Sequence, residues 1–284
     1  MSCCAVTGAR GAGSKTVPKP ITVTYRVFEN GDAFAEGAAA YYADKLAEFG
    51  SRIDVTNNVN VAFSGGTTPK AIFDLLADDS KPYRALVPWE RLGFFFVDER
   101  SVPPDNKDSN YGMAKAALLD KVPIEPSQVY RFQGELDPEE AAAKYESAIR
   151  GAFRLEGAQM PIFQLVSLGM GDDGHTASLF PHTEALHELG RIAVANQVPQ
   201  KDTWRLTLTW PVINQGQDVS FLLKGPAKAE ILRRVFLGGY DPEALPSQLI
   251  RPVSGRLTLL LDRDAAALLP KPNADGVGVL EVSR

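Results

Sequence analysis

Four short segments hold the side chains whose types and spacing suit chemistry. LGMGDDGHTASLFP (168–181) places His175 two residues after Asp173 in a glycine-rich stretch. An imidazole ordinarily titrates near neutral pH, so such a histidine can take a proton from water and later return it. It can equally well cap or pack its loop. His182 and His187 are assigned to that structural role, because no metal-ligand spacing links the three histidines. VDERSVP (97–103) gathers Asp98, Glu99 and Arg100. Arg100 can fork onto a phosphate or carboxylate, and Asp98 can orient a hydroxyl or act as a base; a surface ion-pair turn would read the same way.

SGGTTP supplies Ser64, Gly65, Gly66, Thr67 and Thr68 ahead of Pro69. Its glycines allow a tight turn, and Thr68 is expected to cap a helix opening at Pro69. The resulting N–H groups and hydroxyls suit an anion such as phosphate, although no Walker pattern is present and a plain glycine turn would look alike. Arg205 in WRLTLT and Lys228 in KGPAKAEIL are further candidate anion ligands; Lys224 is not excluded in place of Lys228. The run G-M-G-D-D-G matches the dinucleotide fingerprint literally. Asp172 and Asp173 would oppose a pyrophosphate there, and the acid expected about 20 residues later is missing, so a nicotinamide cofactor is set aside.

The elements that must hold these loops read as strands alternating with helices. Strands are expected at 21–28, 60–64, 92–98, 163–169, 191–198, 204–210, 218–224 and 256–262, each rich in β-branched or aromatic residues. Phe34, Ala38, Tyr42, Leu46 and Phe49 share one face of a helix over 32–49 that Gly50 should end. A second helix should open at Pro138, with Asp137 as N-cap and Glu140 completing a capping box. Another is expected over Ala227–Leu237, and His175 should lead into a short helix. This alternation predicts an α/β fold with an open, mostly parallel sheet. Ligands of such sheets bind at the carboxyl ends of the strands, where all four segments fall.

At 284 residues the chain is expected to form a single domain over 21–284 after an N-terminal extension, 1–20, that is read as disordered. A small subdomain in the second half fits the same pattern. The first 28 residues carry Arg10, Lys15, Lys19 and Arg26 and no acid, yet lack the amphipathic core of a transit peptide. The net charge of -5 disfavours nucleic acid and anionic membranes as partners. No apolar run approaches the roughly 18 residues of a membrane span. Adjacent Cys3 and Cys4 can neither staple the fold nor form a zinc site, which fits a reducing, cytoplasmic compartment.

Taken together, VAFSGGTTP, FFFVDERSVPPDNKDSN, LVSLGMGDDGHTASLFP, RLTLTWPVIN and GPAK resemble the 6-phosphogluconolactonase family, in that family's order and over about residues 25–265. The resemblance implies a Rossmann-like sheet with helices on both faces, shared with glucosamine-6-phosphate deaminases and ribose-5-phosphate isomerases. It also implies hydrolysis of 6-phospho-D-glucono-1,5-lactone with no required metal or nucleotide; no obligatory protein partner is inferred. By position, His175 matches the catalytic histidine, Asp98 an active-site acid, Arg100 and Lys228 phosphate ligands, and the SGGTT loop the sugar-phosphate cradle; Arg205 is a further anion contact. Asp173 would orient the imidazole, and loop N–H groups would hold the oxyanion. Deaminases of this pattern carry DEY where this chain has DER, and a glutamate where it has Phe180. A deaminase- or isomerase-like enzyme and a non-catalytic sugar-phosphate sensor are the alternatives.

Overall fold

The computed structural model describes residues 19–54 and 57–283. The expected disordered extension, apart from Lys19 and Pro20, lies outside them, as do Cys3 and Cys4. In chain order the elements are β1 (Ile21–Phe28), α1 (Gly31–Arg52), β2 (Val59–Phe63), α2 (Thr67–Ala77), β3 (Leu92–Phe96), β4 (Asp98–Arg100), α3 (Asn110–Ala114), β5 (Val129–Tyr130), α4 (Pro138–Phe153), β6 (Leu165–Leu168), β7 (Ala193–Val198), β8 (Thr203–Leu208), α5 (Trp210–Ile213), β9 (Asp218–Leu223), α6 (Ala227–Leu237), β10 (Arg256–Asp262) and β11 (Val277–Val282).

Eight strands form one sheet in the order β11-β1-β10-β9-β6-β2-β3-β5, parallel throughout except for β11. From β2 the chain steps to β3 and β5; from β6 it steps the other way to β9 and β10. Right-handed crossovers therefore place α1 and α2 on one face and α4 and α6 on the other. The reversal between β2 and β6 leaves a crevice at their carboxyl ends. The loops that emerge there are Ser64–Pro69 and the segment holding His175.

A second sheet, β4-β8-β7, is antiparallel. It hangs from the first by a backbone relay in which Val97 N–H donates to Phe63 O (3.0 Å) and Leu208 N–H donates to Val97 O (2.8 Å). Both sheets draw on one apolar core, centred on β3, whose five residues are all buried, and on the stacked Phe63 and Phe94 rings. Among the described residues no helix is long and apolar enough to cross a membrane.

Several local expectations need correction. Helix α1 starts on an Asn30 cap and runs past Gly50 to Arg52. Helix α2 starts at Thr67 with Gly66 as its cap, so Thr68 is inside the first turn and caps nothing. Asp137 does cap α4, accepting from the Glu139 and Glu140 amides, but the Glu140 carboxylate pairs with Lys144 one turn on (2.7 Å) and leaves the capping box half made. No helix follows His175 directly; Thr176 and Leu179 form a β-bridge, and a single 3-10 turn waits until Glu184–His187. Strand β11 is an addition to the expected elements.

Candidate active site

The crevice between β2 and β6 opens into a cavity of about 180 Å³ lined by Ser64, Asp98, Arg100, Asn110, Gly171 and His175, among others. His175 Nδ1 lies 2.5 Å from Asp173 Oδ1, and the same oxygen accepts the His175 backbone N–H at 3.1 Å. Burial opposes the Asp173 charge, but the imidazole's hydrogen bond and charge and the backbone amides outweigh it and hold the carboxyl at about 2. An ionised Asp173 accepts from Nδ1–H, which leaves the Nε2 lone pair free. Gly171 is what lets the two side chains meet: a Cβ there would sit 2.1 Å from His175 Nδ1 and 2.6 Å from Asp173 Oδ1. The other face of the imidazole lies on Phe180, with ring centroids 4.0 Å apart and planes 23° off parallel.

The loop amides expected to hold an oxyanion are partly spent. Gly171 N–H donates to His175 O, and Gly174 N–H donates to Gly171 O. They shape the loop, and with His175 N–H tied to Asp173 they are not free donors. Ala177, on the cavity wall, is held at φ 51°, a left-handed conformation that costs a non-glycine residue on the order of 1 kcal/mol or more.

Strand β4 delivers three charged residues with three different surroundings. Asp98 is buried; its Oδ2 accepts from Ser178 Oγ (2.7 Å) and its Oδ1 faces Asn110 Nδ2 (3.5 Å). Burial pushes its carboxyl up, against the pull of Ser178, Arg100, His175 and Arg205. With both oxygens in contact, it ties the small sheet to the histidine loop. Glu99, also buried, accepts from Ser109 Oγ and from the amides of Arg100, Asn110 and Tyr111, so it anchors the start of α3. Burial raises its pKa as well, although those amides lower it.

Arg100 sits directly across from Arg205 in the β4–β8 register. Like charges in opposed positions repel. Burial lowers the Arg205 pKa, and the neighbouring Arg100 lowers it further. Among the described residues neither guanidinium has a carboxylate within salt-bridge distance; Arg205 Nη1 donates to Thr203 Oγ1 (3.1 Å), and Arg100 donates to the Asp108 carbonyl. Two facing arginines without an acid form a ready seat for an anion.

Gly66 and Thr67 do not line the histidine cavity. They line a neighbouring one of about 610 Å³ that also touches Lys70 and shares Arg100 and Asn110 with it. No side chain caps α2 and no acid lies in its first turn, so its N-terminal amides are left without a side-chain acceptor. Thr68 borders neither of these two cavities.

Lys228, in the first turn of α6, donates to Met170 O (2.8 Å) and pairs with the exposed Asp172 (2.5 Å). Its ammonium is thus on the histidine loop, whereas Lys224 is exposed without a partner among those contacts. His182 and His187 lie together beside Glu243, through the His182 N–H bond to Glu243 O (3.1 Å) and an ion-pair contact of 3.6 Å from His187. Among the described residues no three His, Cys, Asp or Glu side chains converge as a metal site.

Residues 15–259 match the family described as glucosamine-6-phosphate isomerases/6-phosphogluconolactonase. The chain belongs to this family. A 6-phosphogluconolactonase of Synechocystis is 42% identical over 72% of this chain and 82% of its own length. The one from Bos taurus is 36% identical over 90% of this chain and 95% of its own. The solved 6-phosphogluconolactonase of Trypanosoma cruzi superposes with a TM-score of 0.72 at 30% identity, covering 86% of this chain and 96% of that one. The family match runs from before β1 through β9 and takes in the loops that line the crevice described above.

Sequence reasoning missed Asn110 and the contact made by Phe180. A signal was there to be read, since the serine of DSN precedes an apolar stretch and Ser109 does cap α3. Nothing local shows that the next side chain turns toward a loop 45 residues away in sequence.

Proposed function

We propose that this chain hydrolyses 6-phospho-D-glucono-1,5-lactone to 6-phospho-D-gluconate, the lactonase step of the oxidative pentose phosphate pathway. The observation that carries this reading is a histidine with one nitrogen committed to an ionised carboxylate and the other free, in one cavity with Arg100, which Arg205 faces across the β4–β8 pair. The relatives named above support the same substrate.

His175 Nε2 takes a proton from water as the water oxygen bonds to the lactone carbonyl carbon. The tetrahedral intermediate collapses with cleavage of the bond from that carbon to the ring oxygen. The imidazolium returns its proton to that oxygen, and the open-chain acid leaves. Asp173 stabilises the imidazolium and fixes its tautomer, as the third member of a triad does. Ser64 Oγ, buried and without a partner on the cavity wall, is the donor for the developing oxyanion. Arg100, Arg205 and the amides of Gly65, Gly66 and Thr67 hold the phosphate away from the reacting carbon. Lys228 joins them when the phosphate replaces Asp172 as its counter-ion. Asp98 acts by position and charge, because both of its oxygens are already in contact with Ser178 and Asn110.

The shared core supports one folding unit over 21–284. A small phosphorylated sugar lactone as substrate, with no call for nucleic acid or membrane, fits a cytoplasmic enzyme.

The test is hydrolysis of freshly made lactone, coupled to 6-phosphogluconate dehydrogenase and read as the excess over spontaneous opening. A large excess is expected. Ammonia release from glucosamine 6-phosphate would favour a deaminase instead, and sugar-phosphate binding without turnover would favour a sensor. Phe180 stands at the sequence offset where the resemblance puts the deaminase's glutamate, and its ring, stacked on His175, has no acid to offer, which argues against the deaminase.

A further inference from the structure

Asn110 lies outside the machinery assigned so far, yet it is the most constrained polar side chain on the cavity wall. It is 2% exposed, and it borders both the histidine cavity and its larger neighbour. Its backbone N–H donates to Glu99 Oε1 at 2.7 Å, and the amide of Tyr111 donates to the other oxygen of the same carboxylate at 2.8 Å. Its side-chain Nδ2 donates to the Asp98 carbonyl at 2.9 Å and faces Asp98 Oδ1 at 3.5 Å. The amide cannot be turned over, because a flip would set Oδ1 against two oxygens. Oδ1 is therefore fixed, and it has no partner.

A buried carbonyl oxygen without a donor costs about 1–3 kcal/mol unless a ligand satisfies it. The chain also makes room for this group. A Cβ on Gly65 would lie 1.9 Å from Asn110 Oδ1, so only glycine at 65 admits the amide in this position. A phosphate dianion cannot be the missing partner, since it has no proton to offer an amide oxygen. The partner must be a donor, and the substrate class proposed above presents ring hydroxyls.

We propose that Asn110 is a specificity residue that accepts a hydrogen bond from one ring hydroxyl of the sugar lactone. This inference rests on the lactonase reading. The hydroxyl is read by a side chain locked on both sides, so little ordering cost is left at binding. Gly65 contributes by leaving the space the amide occupies.

The experiment compares kcat/KM for the parent lactone with its 2-, 3- and 4-deoxy forms, in the wild type and in Asn110→Ala and Gly65→Ala, with thermal melts to verify folding. In the wild type one deoxy lactone should fall at least roughly tenfold below the parent, because a site built to bond a hydroxyl rejects the analogue lacking it. Asn110→Ala should bring that one ratio to within about threefold of unity while leaving the other two as they are. Gly65→Ala, which displaces the amide without altering it, should erode the same ratio. A merely structural role would slow parent and analogue alike. A wild type that accepts all three deoxy lactones like the parent overturns the inference and leaves the lactonase reading intact. So does a penalty that persists unchanged in a folded variant. Failure to hydrolyse the parent at all overturns both.

Discussion

Two buried carboxylates, Asp218 and Asp98, lie in regions built on opposite rules. Asp218, wholly buried at the start of β9, accepts from Tyr41 Oη through both oxygens (2.8 and 2.9 Å) with Arg256 Nε 3.7 Å away. Beside it, Tyr42 Oη lies between Ser167 Oγ (2.8 Å) and Ser220 Oγ (2.9 Å). Every polar atom of that network is satisfied within the chain. Around Asp98 the accounts stay open: Ser64 Oγ and Asn110 Oδ1 have no partner, and Arg100 and Arg205 repel across two strands. Burial raises both acids, so burial alone does not separate them. The difference lies in what is left unpaired. A protein interior closes most of its hydrogen bonds, and an open one on a cavity wall is one that a ligand can complete.

The largest effect that sharpens this contrast is on turnover. His175→Ala should lower kcat by about 10²–10⁴-fold with a much smaller change in KM, because general acid–base catalysis is worth that much. Tyr42→Phe, in the closed network, should leave kcat within about twofold. Wild-type kcat in the histidine variant would break the assignment of the open region to catalysis.

Next comes binding. Arg205→Ala should raise KM by about tenfold or more while kcat moves little, as expected for a charge-assisted contact remote from the reacting carbon. Inorganic phosphate should raise the melting temperature of the wild type and not that of this variant. Equal protection of both would remove the arginine pair from the anion site.

Stability should then divide the two carboxylates. Asp218→Ala leaves the Tyr41 hydroxyl only its long 3.4 Å contact with Thr258 Oγ1 and should cost about 1–3 kcal/mol, seen as a lower melting temperature with kcat preserved. Asp98→Asn removes a charge that burial disfavours, so the melting temperature should hold or rise while kcat falls. Equal destabilisation by both substitutions would erase the distinction.

The smallest effect is on acid stability. The Asp173 carboxyl is held at about 2, below the ordinary 3.8, so its ionised form favours the folded state. That contribution is present above pH 4 and is lost as the pH falls through about 2. Asp173→Asn should therefore flatten the decline of stability over that window in a pH series of melts. The raised Asp98 and Glu99 act in the other direction: their protonated forms favour the fold, so what they contribute declines as the pH rises through their folded values.

Much of this was legible along the chain, and the reason is local. Alternating β-branched residues marked β1 and the buried run FFF marked β3, because each reports its own burial. Asp137 before Pro138 marked the start of α4, since a cap is made by adjacent atoms. Thr68 misled, because a threonine before a proline suits a cap, whereas the backbone at Gly66 starts the helix earlier and puts both threonines inside its first turn. The antiparallel β4-β8-β7 sheet was hidden, as its strands read like those of the parallel sheet until their pairing is known. Strand β11 is short, glycine-bearing and half exposed, so its pattern is faint; β1 recruits it as an antiparallel edge.

The sequence by itself determined the α/β alternation, the loops that carry chemistry, and the residue types in them: a histidine with a nearby acid, arginines, and a glycine turn before a helix. Only the tertiary structure decided which of these meet. The turnabout of strand order between β2 and β6 set the Ser64 loop beside the His175 loop, and one register of β4 on β8 put Arg100 opposite Arg205. The same folding slid Asn110 over Gly65 and Phe180 under His175. Propensity and periodicity describe a residue and its near neighbours, whereas these contacts join segments far apart in the chain and form only when the whole core packs.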